Sequence, residues 1–373
     1  MDSLNILALN SGSSSLKFGL YRVDAAGAEK LLGESVSTTE HLQAFEHIGG
    51  VLAKSGMPPP DAIGHRIVHG GPTLRQHSLV DGALLSQLQA AAAFAPLHTP
   101  QALALIGLAQ THYPGIAQVA CFDTQFHAGL PDVARVLPIA RELQSQGIHR
   151  YGFHGLSLES IVRQLGHDVP ERLVIAHLGN GASITALKAG QSIDTSMGLT
   201  PSGGVIMGTR SGDLDPGLLL YLLREKQFDA AGLAALIDQG SGLLGISGIS
   251  GDMRKLREVA ASNADARLAI EMFCYSVRKQ VAAMSAVLGG LDLLVFTGGI
   301  GENDAQVRAE VCRGLSWMGV SLDAPRNASA SKLASDRVSR GRAHVPVPVQ
   351  VPVRVLPSQE DEQIARHVWA LLA

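Results

Sequence analysis

Four side chains in this 373-residue chain pair a chemically useful type with unusual neighbours. Arg66, in "GHRIVHGG", and Arg210, in "MGTRSGDLDPG", sit among glycines rather than along a charged helix face. A guanidinium there either ends in solvent or offers a planar fork to a carboxylate or phosphate. Asp123 closes the apolar run "IAQVACFDT", as a cap or as a functional carboxylate. His154, in "YGFHGLS", lies beside an aromatic, where both core histidines and site donors occur. Of the 14 histidines, His98 and His177 are the other two candidates.

Three turns of small residues accompany these groups. "NSGSSSLK" holds Asn10 and, just beyond the serines, Lys17. "HLGNGAS" contains His177, Leu178, Gly179, Asn180 and Gly181, and "TGGIGEN" contains Gly299, Ile300, Gly301, Glu302 and Asn303. Small residues let backbone N–H groups converge on an anion, although one such turn alone is as consistent with a plain hairpin. None matches the G-x-x-x-x-G-K-[ST] phosphate loop. Taken together, three glycine-rich turns after apolar strands point to a nucleotide held between domains. Lys17 either follows its loop to the phosphates or lies along a strand with its charge in solvent.

The elements that position these residues alternate in type. Residues 6–21 read as strand, loop and strand, and "RLVIAHLGNGASITALKAG" (172–190) repeats that pattern with its loop in register, suggesting two related domains. Strands are expected over 61–71 and 116–124. Helices are expected over 82–94, from Thr99 as N-cap with Pro100 first in the helix, from Asp215 and Pro216, over 264–288, and from near Asn303 after a glycine-rich loop. "VPVPVQVPVRVLPS" (345–358) keeps its valines from 345 to 355 odd-numbered and Pro346, Pro348 and Pro352 even. That parity fits an edge strand pairing through its odd residues with one valine face packed, the alternative being a polyproline linker. The alternation of strands and helices indicates an α/β fold.

Composition bounds the function. Hydrophobic residues at 46% and charged residues at 17% support sizeable cores, and the length suits about two domains. Lys plus Arg number 30 against 33 Asp plus Glu, so neither nucleic acid nor an acidic membrane surface is an expected partner. Cys121, Cys274 and Cys312 lack metal-ligand spacing and read as buried thiols in a reducing compartment. With no apparent signal segment and no membrane-length apolar run, the expectation is a cytoplasmic protein.

The segments "NSGSSSLK", "GHRIVHGG", "APLH", "FDTQFH", "YGFHG", "HLGNGASI", "TSMGLTP", "MGTRSGDLDPG" and "FTGGIGEN" together resemble the acetate kinase family, in the family's order and over nearly the whole chain. The resemblance implies two duplicated ribonuclease-H-like (actin-like ATPase) α/β domains with an interdomain nucleotide cleft. Residues 1–126, completed by the C-terminal helix 361–373, would form one domain and 127–360 the other. It further implies reversible, direct in-line phosphoryl transfer between ATP and acetate, giving acetyl phosphate and ADP, with Mg2+ or Mn2+ as cofactor and a homodimeric assembly. Asn10 and Glu360 match the metal-associated positions. Arg66, Asp123, His154 and Arg210 match the catalytic set, and Val68, Leu97, His98, Phe153 and Pro201 join Arg66 at the acyl site. Lys17, residues 177–181, Asp252, Met253, Arg254 and residues 299–303 match nucleotide-binding stretches.

A carboxylate acceptor is ionised at pH 7 and needs no general base, so the task is bringing two anions together. Asp123 is therefore expected to orient a metal, a water or an arginine. Valine at position 68 resembles the acetate-preferring members, with propionate or another short-chain carboxylate as the alternative substrate. The chain departs from the family in a shorter Tyr21–Gly64 region and in "TPSGG" where "TPLEG" is common. An ATP-driven binding switch is the rival of a different class, but it leaves the arginine, aspartate and histidine set without a purpose.

Overall fold

The computed structural model describes residues 3–12, 16–36, 41–96, 98–330, 336–337 and 350–373. Two six-stranded sheets organise the chain. The first contains β1 (Leu4–Ser11), β2 (Leu16–Val23), β3 (Ala28–Val36), β4 (Ala62–Ile67), β5 (Ser78–Leu79) and β6 (Ala117–Phe122), in the order β3-β2-β1-β4-β6-β5. The second contains β7 (Arg172–Leu178), β8 (Ala182–Lys188), β9 (Gln191–Thr195), β10 (Leu293–Thr297), β11 (Asp336–Arg337) and β12 (Val353–Val355). Its order, β11-β12-β10-β7-β8-β9, is that of the first sheet read backwards with the roles preserved. Each begins with an antiparallel three-strand meander, adds two parallel strands, and ends in a short antiparallel one. The suspected duplication is therefore a property of the topology.

Strand periodicity explains how each sheet is covered. In β1, Leu7 and Leu9 face Phe18, Phe45 and Leu105 on one side, while Ile6 and Ala8 face Ile364, Ala365 and Val368 on the other. The latter three belong to the C-terminal helix Glu360–Leu372, which returns across the first sheet from the opposite end of the chain. Burying each of its large aliphatic side chains contributes about 1.5–3 kcal/mol of transfer free energy. The second sheet packs the long helix Ala264–Val287 on one face and the helix Gly155–Leu165 on the other.

Most expected elements occur with shifted ends. The helix from Gly82 stops at Ala90 and tightens into a 3-10 turn, Ala91–Phe94, and His98 rather than Thr99 caps Thr99–His112. Asp215 does cap Pro216–Glu225, its side chain accepting from the Gly217 N–H. "GGIGEN" is a helix itself, Gly298–Asn303, and Asp304 caps the next one. Glu302 closes that first turn by accepting the Gly298 N–H at 2.9 Å, a side-chain bond that outweighs the glycine content.

The valine-rich segment is corrected as well. Residues 345–349 lie outside the described residues, and β12 is an interior strand between β10 and β11. Val351, Val353 and Val355 do form a packed face, at 3%, 0% and 4% exposure. Even-numbered positions, however, face β10: the Pro352 carbonyl accepts from Leu294 N–H and Leu356 N–H donates to Phe296. Pro352 is tolerated because that edge asks for its carbonyl at the point where pairing begins.

Gly64 in β4 is the tightest point beneath the C-terminal helix. A Cβ there would lie 2.4 Å from Ile364 Cγ2 and 2.7 Å from Val368 Cγ2, both on β-branched side chains with little freedom to yield. Gly64→Ala is expected to destabilise the protein by about 1–3 kcal/mol, measured by urea unfolding. An unchanged midpoint would mean the helix docks less tightly than this geometry requires.

Candidate active site

The parallel strands deliver their functional residues at their carboxyl ends, where ligands bind in open α/β sheets. Asn10 stands near the end of β1, Arg66 in β4, Asp123 directly after β6, His177 in β7, and Gly298 directly after β10. These ends face one cleft of about 480 Å3, which also receives Glu360 and Asp361 from the first turn of the C-terminal helix.

A polar network forms its floor. Arg66 donates from Nε (2.8 Å) and Nη2 (2.6 Å) to Asp123 Oδ2, and from Nη1 to Asn10 Oδ1 at 3.2 Å. The Asn10 amide donates onward to Glu360 Oε2 at 2.8 Å and Asp361 Oδ1 at 2.9 Å. Asp123 is fully buried, and burial pushes its carboxyl above the ordinary range against the opposing pull of Arg66. Burial works the same way on Glu360, yet Arg66, His177, the Asn10 amide and Lys17 hold it below its ordinary value. Burial also raises Asp361, opposed by Asn10.

His154 occupies the left-handed region at φ 63°, a conformation that costs a non-glycine residue about 1 kcal/mol or more and that clusters at functional sites. Gly155 makes this turn possible: a Cβ there would come within 2.3 Å of the Asp123 carbonyl, which instead accepts the Gly155 N–H at 2.9 Å. The His154 ring stacks on His177 at 4.2 Å between centroids, with Nδ1 2.9 Å from Ser183 Oγ. His177 Nδ1 lies 2.8 Å from Ser157 Oγ. Burial, then His177, Arg66 and Arg210, hold the His154 pKa well below the usual histidine value, so the ring is neutral near pH 7. Burial likewise brings His177 to about 4, and burial with Arg210 brings His98 to about 4.

Arg210 approaches from the other wall, with Nη1 3.3 Å from the Pro201 carbonyl and Nη2 3.4 Å from His98 Nε2. A Cβ on Gly181 would lie 3.3 Å from both Arg210 Nη1 and His154 Nε2, so these donors meet at one point above the glycine turn. Val68, Phe153 and Pro201 supply the apolar lining nearby.

The cleft thus gathers most of the residues expected from sequence. Lys17 lies in β2 opposite Asn10, exposed and lining the cleft, so it serves the strand and still faces the site. Leu97 lies outside the described residues. Others are placed elsewhere. Leu178 and Met253 are buried in the core, and Ile300 packs against it. The Gly301 carbonyl accepts from buried Arg308 at 2.8 Å. Asp252 caps the helix Met253–Val259 and pairs with the exposed guanidinium of Arg254. Glu302 lines the cleft, but its carboxylate is spent on the Gly298 and Ser358 N–H groups. Sequence reasoning passed over Asp361, Ser183 and Ser157; the acidic pair in "QEDEQ" was a visible signal for the first, whereas the serines become relevant only through contacts made in space.

For a divalent cation, Asp123 Oδ1 is a buried oxygen with no hydrogen-bond partner, and the Glu360 and Asp361 carboxylates line the same cleft. This hard-oxygen set suits Mg2+-like ions. Asn10 turns its amide nitrogen toward both carboxylates and gives its oxygen to Arg66, and so holds the acids in place. Among the described residues, the three ligand-type side chains whose atoms lie within 4.8 Å of one another are His77, Glu159 and His367, outside the cleft. His77 Nδ1 accepts the Phe122 N–H at 3.0 Å, which places the ring proton on Nε2 and removes the lone pair a metal would need there.

Duplicated sheets with a polar, glycine-lined cleft between them define a nucleotide-dependent phosphotransferase of the actin-like fold. Residues 28–366 match the family model described as the Acetokinase family, and the chain belongs to that family. It is 40% identical to an acetate kinase from Methylocella silvestris and 41% identical to one from Rhodopseudomonas palustris, each alignment covering 98% of both chains. Among solved structures, Porphyromonas gingivalis acetate kinase superposes with a TM-score of 0.82 at 34% identity over 100% of both chains. A propionate kinase from Francisella tularensis gives 0.85 at 34% identity over 98% of this chain and 99% of its own.

Protonating Asp123 would release Arg66 from its counter-ion. Because burial raises the Asp123 carboxyl, activity should fall on an acid limb displaced above the ordinary carboxylate range of about 4. Initial rates of kcat/KM against pH test this; an acid limb at ordinary carboxylate values would show that Asp123 does not control it.

Proposed function

We propose that this protein catalyses reversible transfer of the ATP γ-phosphoryl group to acetate, with Mg2+ as the metal. The observation that carries the reading is the convergence of Arg66, Arg210 and neutral His154 beside a small apolar patch, with the fully buried carboxylate of Asp123 committed to Arg66. A hydroxyl acceptor would need a free base there; an ionised carboxylate does not.

The acceptor carboxylate lies against the guanidiniums of Arg66 and Arg210, with its methyl group on Val68, Phe153 and Pro201. Arg210 and His154 then face the transferring group from one side. His154 Nδ1 lies 2.9 Å from Ser183 Oγ, and with the hydroxyl as donor the neutral ring carries its proton on Nε2, as a donor toward charge developing on that group. Glycine turns 179–181 and 298–299 line the nucleotide side, and Lys17 adds positive charge. Glu360, Asp361 and Asp123 line the cleft as the carboxylates that would hold Mg2+, which would neutralise charge on the phosphate oxygens when bound.

The three cysteines are buried and free, which supports a reducing, cytoplasmic setting. Among the described residues no helix is long and apolar enough to cross a membrane. A homodimer is the proposed assembly. The helices Pro216–Glu225 and Ala230–Gln239 contain no buried residue and expose Leu218, Leu220, Tyr221 and Leu223, a face suited to a second copy. Light scattering after size-exclusion chromatography should give twice the chain mass of 39.1 kDa, and a monomer at micromolar concentration would refute it.

Acyl phosphate formation is tested by trapping it with hydroxylamine across formate, acetate, propionate and butyrate. Acetate is expected to give the highest kcat/KM, with propionate reduced but active, since one methylene is worth only about 1–3 kcal/mol. Val68→Ala should raise activity on propionate relative to acetate. ATP hydrolysis indifferent to every carboxylate would favour a binding switch over a kinase.

A further inference from the structure

Two arginines face the acceptor site, and their support differs. Arg66 is locked onto Asp123, but among the described residues no carboxylate forms an ion pair with Arg210. Its side-chain contacts are the Pro201 carbonyl and His98 Nε2, so its position depends on the segments that carry it and that carbonyl. Both segments meet at the end of the helix Ala230–Gln239. Thr209 Oγ1 donates to the Asp238 carbonyl at 2.8 Å, and Ser211 N–H donates to the Ile237 carbonyl at 3.0 Å, which brackets Arg210 on the backbone. The Ser202 hydroxyl donates to Asp238 Oδ1, fastening the residue next to Pro201.

We propose that Asp238 is a positioning residue for Arg210. Its main chain anchors Thr209, its carboxylate anchors Ser202, and the guanidinium is thereby held at the acceptor site. Electrostatics agree with that placement. Burial lowers the Arg210 pKa, and the Asp238 charge is the first influence that opposes it. Asp238 is only half-buried and lines no part of the cleft, so it touches no reacting group. The loop containing Ser202 is where the chain reads "TPSGG", and two glycines follow the tethered serine. In such a loop one side-chain anchor matters more than in a bulkier one, because glycine contributes the most conformational freedom.

This inference rests on Arg210 contacting the carboxylate acceptor, so wild-type hydroxamate formation is measured first; its absence would sink the proposed function before any variant is compared. Asp238→Ala is then expected to lower kcat/KM for acetate about tenfold, as for loss of one well-placed hydrogen bond, with the KM for ATP within about twofold of wild type. Asp238→Asn keeps an acceptor for Ser202 and should restore most of the loss. Ser202→Ala should reproduce the Asp238→Ala effect, and the double variant should be no worse than either single one. Should Asp238→Ala fail to fold, as read by thermal melting, Ser202→Ala removes only a loop hydroxyl and carries the same expectation. A wild-type acetate kcat/KM in Ser202→Ala, equal losses toward both substrates, or additive losses in the double variant would each overturn the proposal. So would Asp238→Asn remaining as impaired as Asp238→Ala.

Discussion

The Arg66–Asp123 ion pair is the constraint around which the rest is arranged. Asp123 has no solvent exposure, and burying either charge alone would cost several kcal/mol. The pair survives because two guanidinium nitrogens converge on one carboxylate oxygen while the third donates to Asn10. Such a pair adds little net stability, but it leaves neither partner free to be lost. It also leaves one Asp123 oxygen unsatisfied at the floor of the cleft. Its position is thus explained by the site rather than by the fold.

The remainder of the molecule brings distant chain segments to that point. Asn10 and Glu360 are 350 residues apart, yet they share a hydrogen bond because the C-terminal helix crosses the first sheet. The same helix and the residues just before it are tied to the helix Gly155–Leu165: Arg163 meets Glu362, and Ser358 meets Ser157. The second of these helices follows directly on His154, its N-cap residue, and Ser157 supports His177. The carboxylates of Glu360 and Asp361 and the histidine pair are therefore tied into one hydrogen-bonded framework spanning both sheets.

Some of this was legible in the residues. Strand alternation at 6–9 and 172–178, the Asp215–Pro216 helix start and the glycine-rich turns are local signals, and local structure follows them. Differences from the sequence reading arise where a specific side-chain partner or neighbouring strand overrides backbone preference. "GGIGEN" curls into a helix because Glu302 caps its own turn and Arg308 holds its carbonyls. The valine-rich strand is interior rather than an edge, because β10 supplies a neighbour at its even-numbered positions in addition to β11 on its other side. Met253 and Leu178 sit on binding-type stretches but point into the core, since alternation along strand and helix sends some side chains inward.

Residue types and short-range spacing determined the chemistry on offer: cations among glycines, an aspartate after a strand, a histidine beside an aromatic, and turns small enough for phosphate. They also determined the α/β class and the repeat. Tertiary structure alone decided which charges pair and which remain available. Asp123 is committed to Arg66, Asn10 to two carboxylates, Glu302 to backbone, while Arg210 lacks an ion-pair partner among the described residues. The physical reason is that electrostatic and hydrogen-bond energies depend on distances of a few ångströms between atoms, and only folding brings residues hundreds of positions apart within that range.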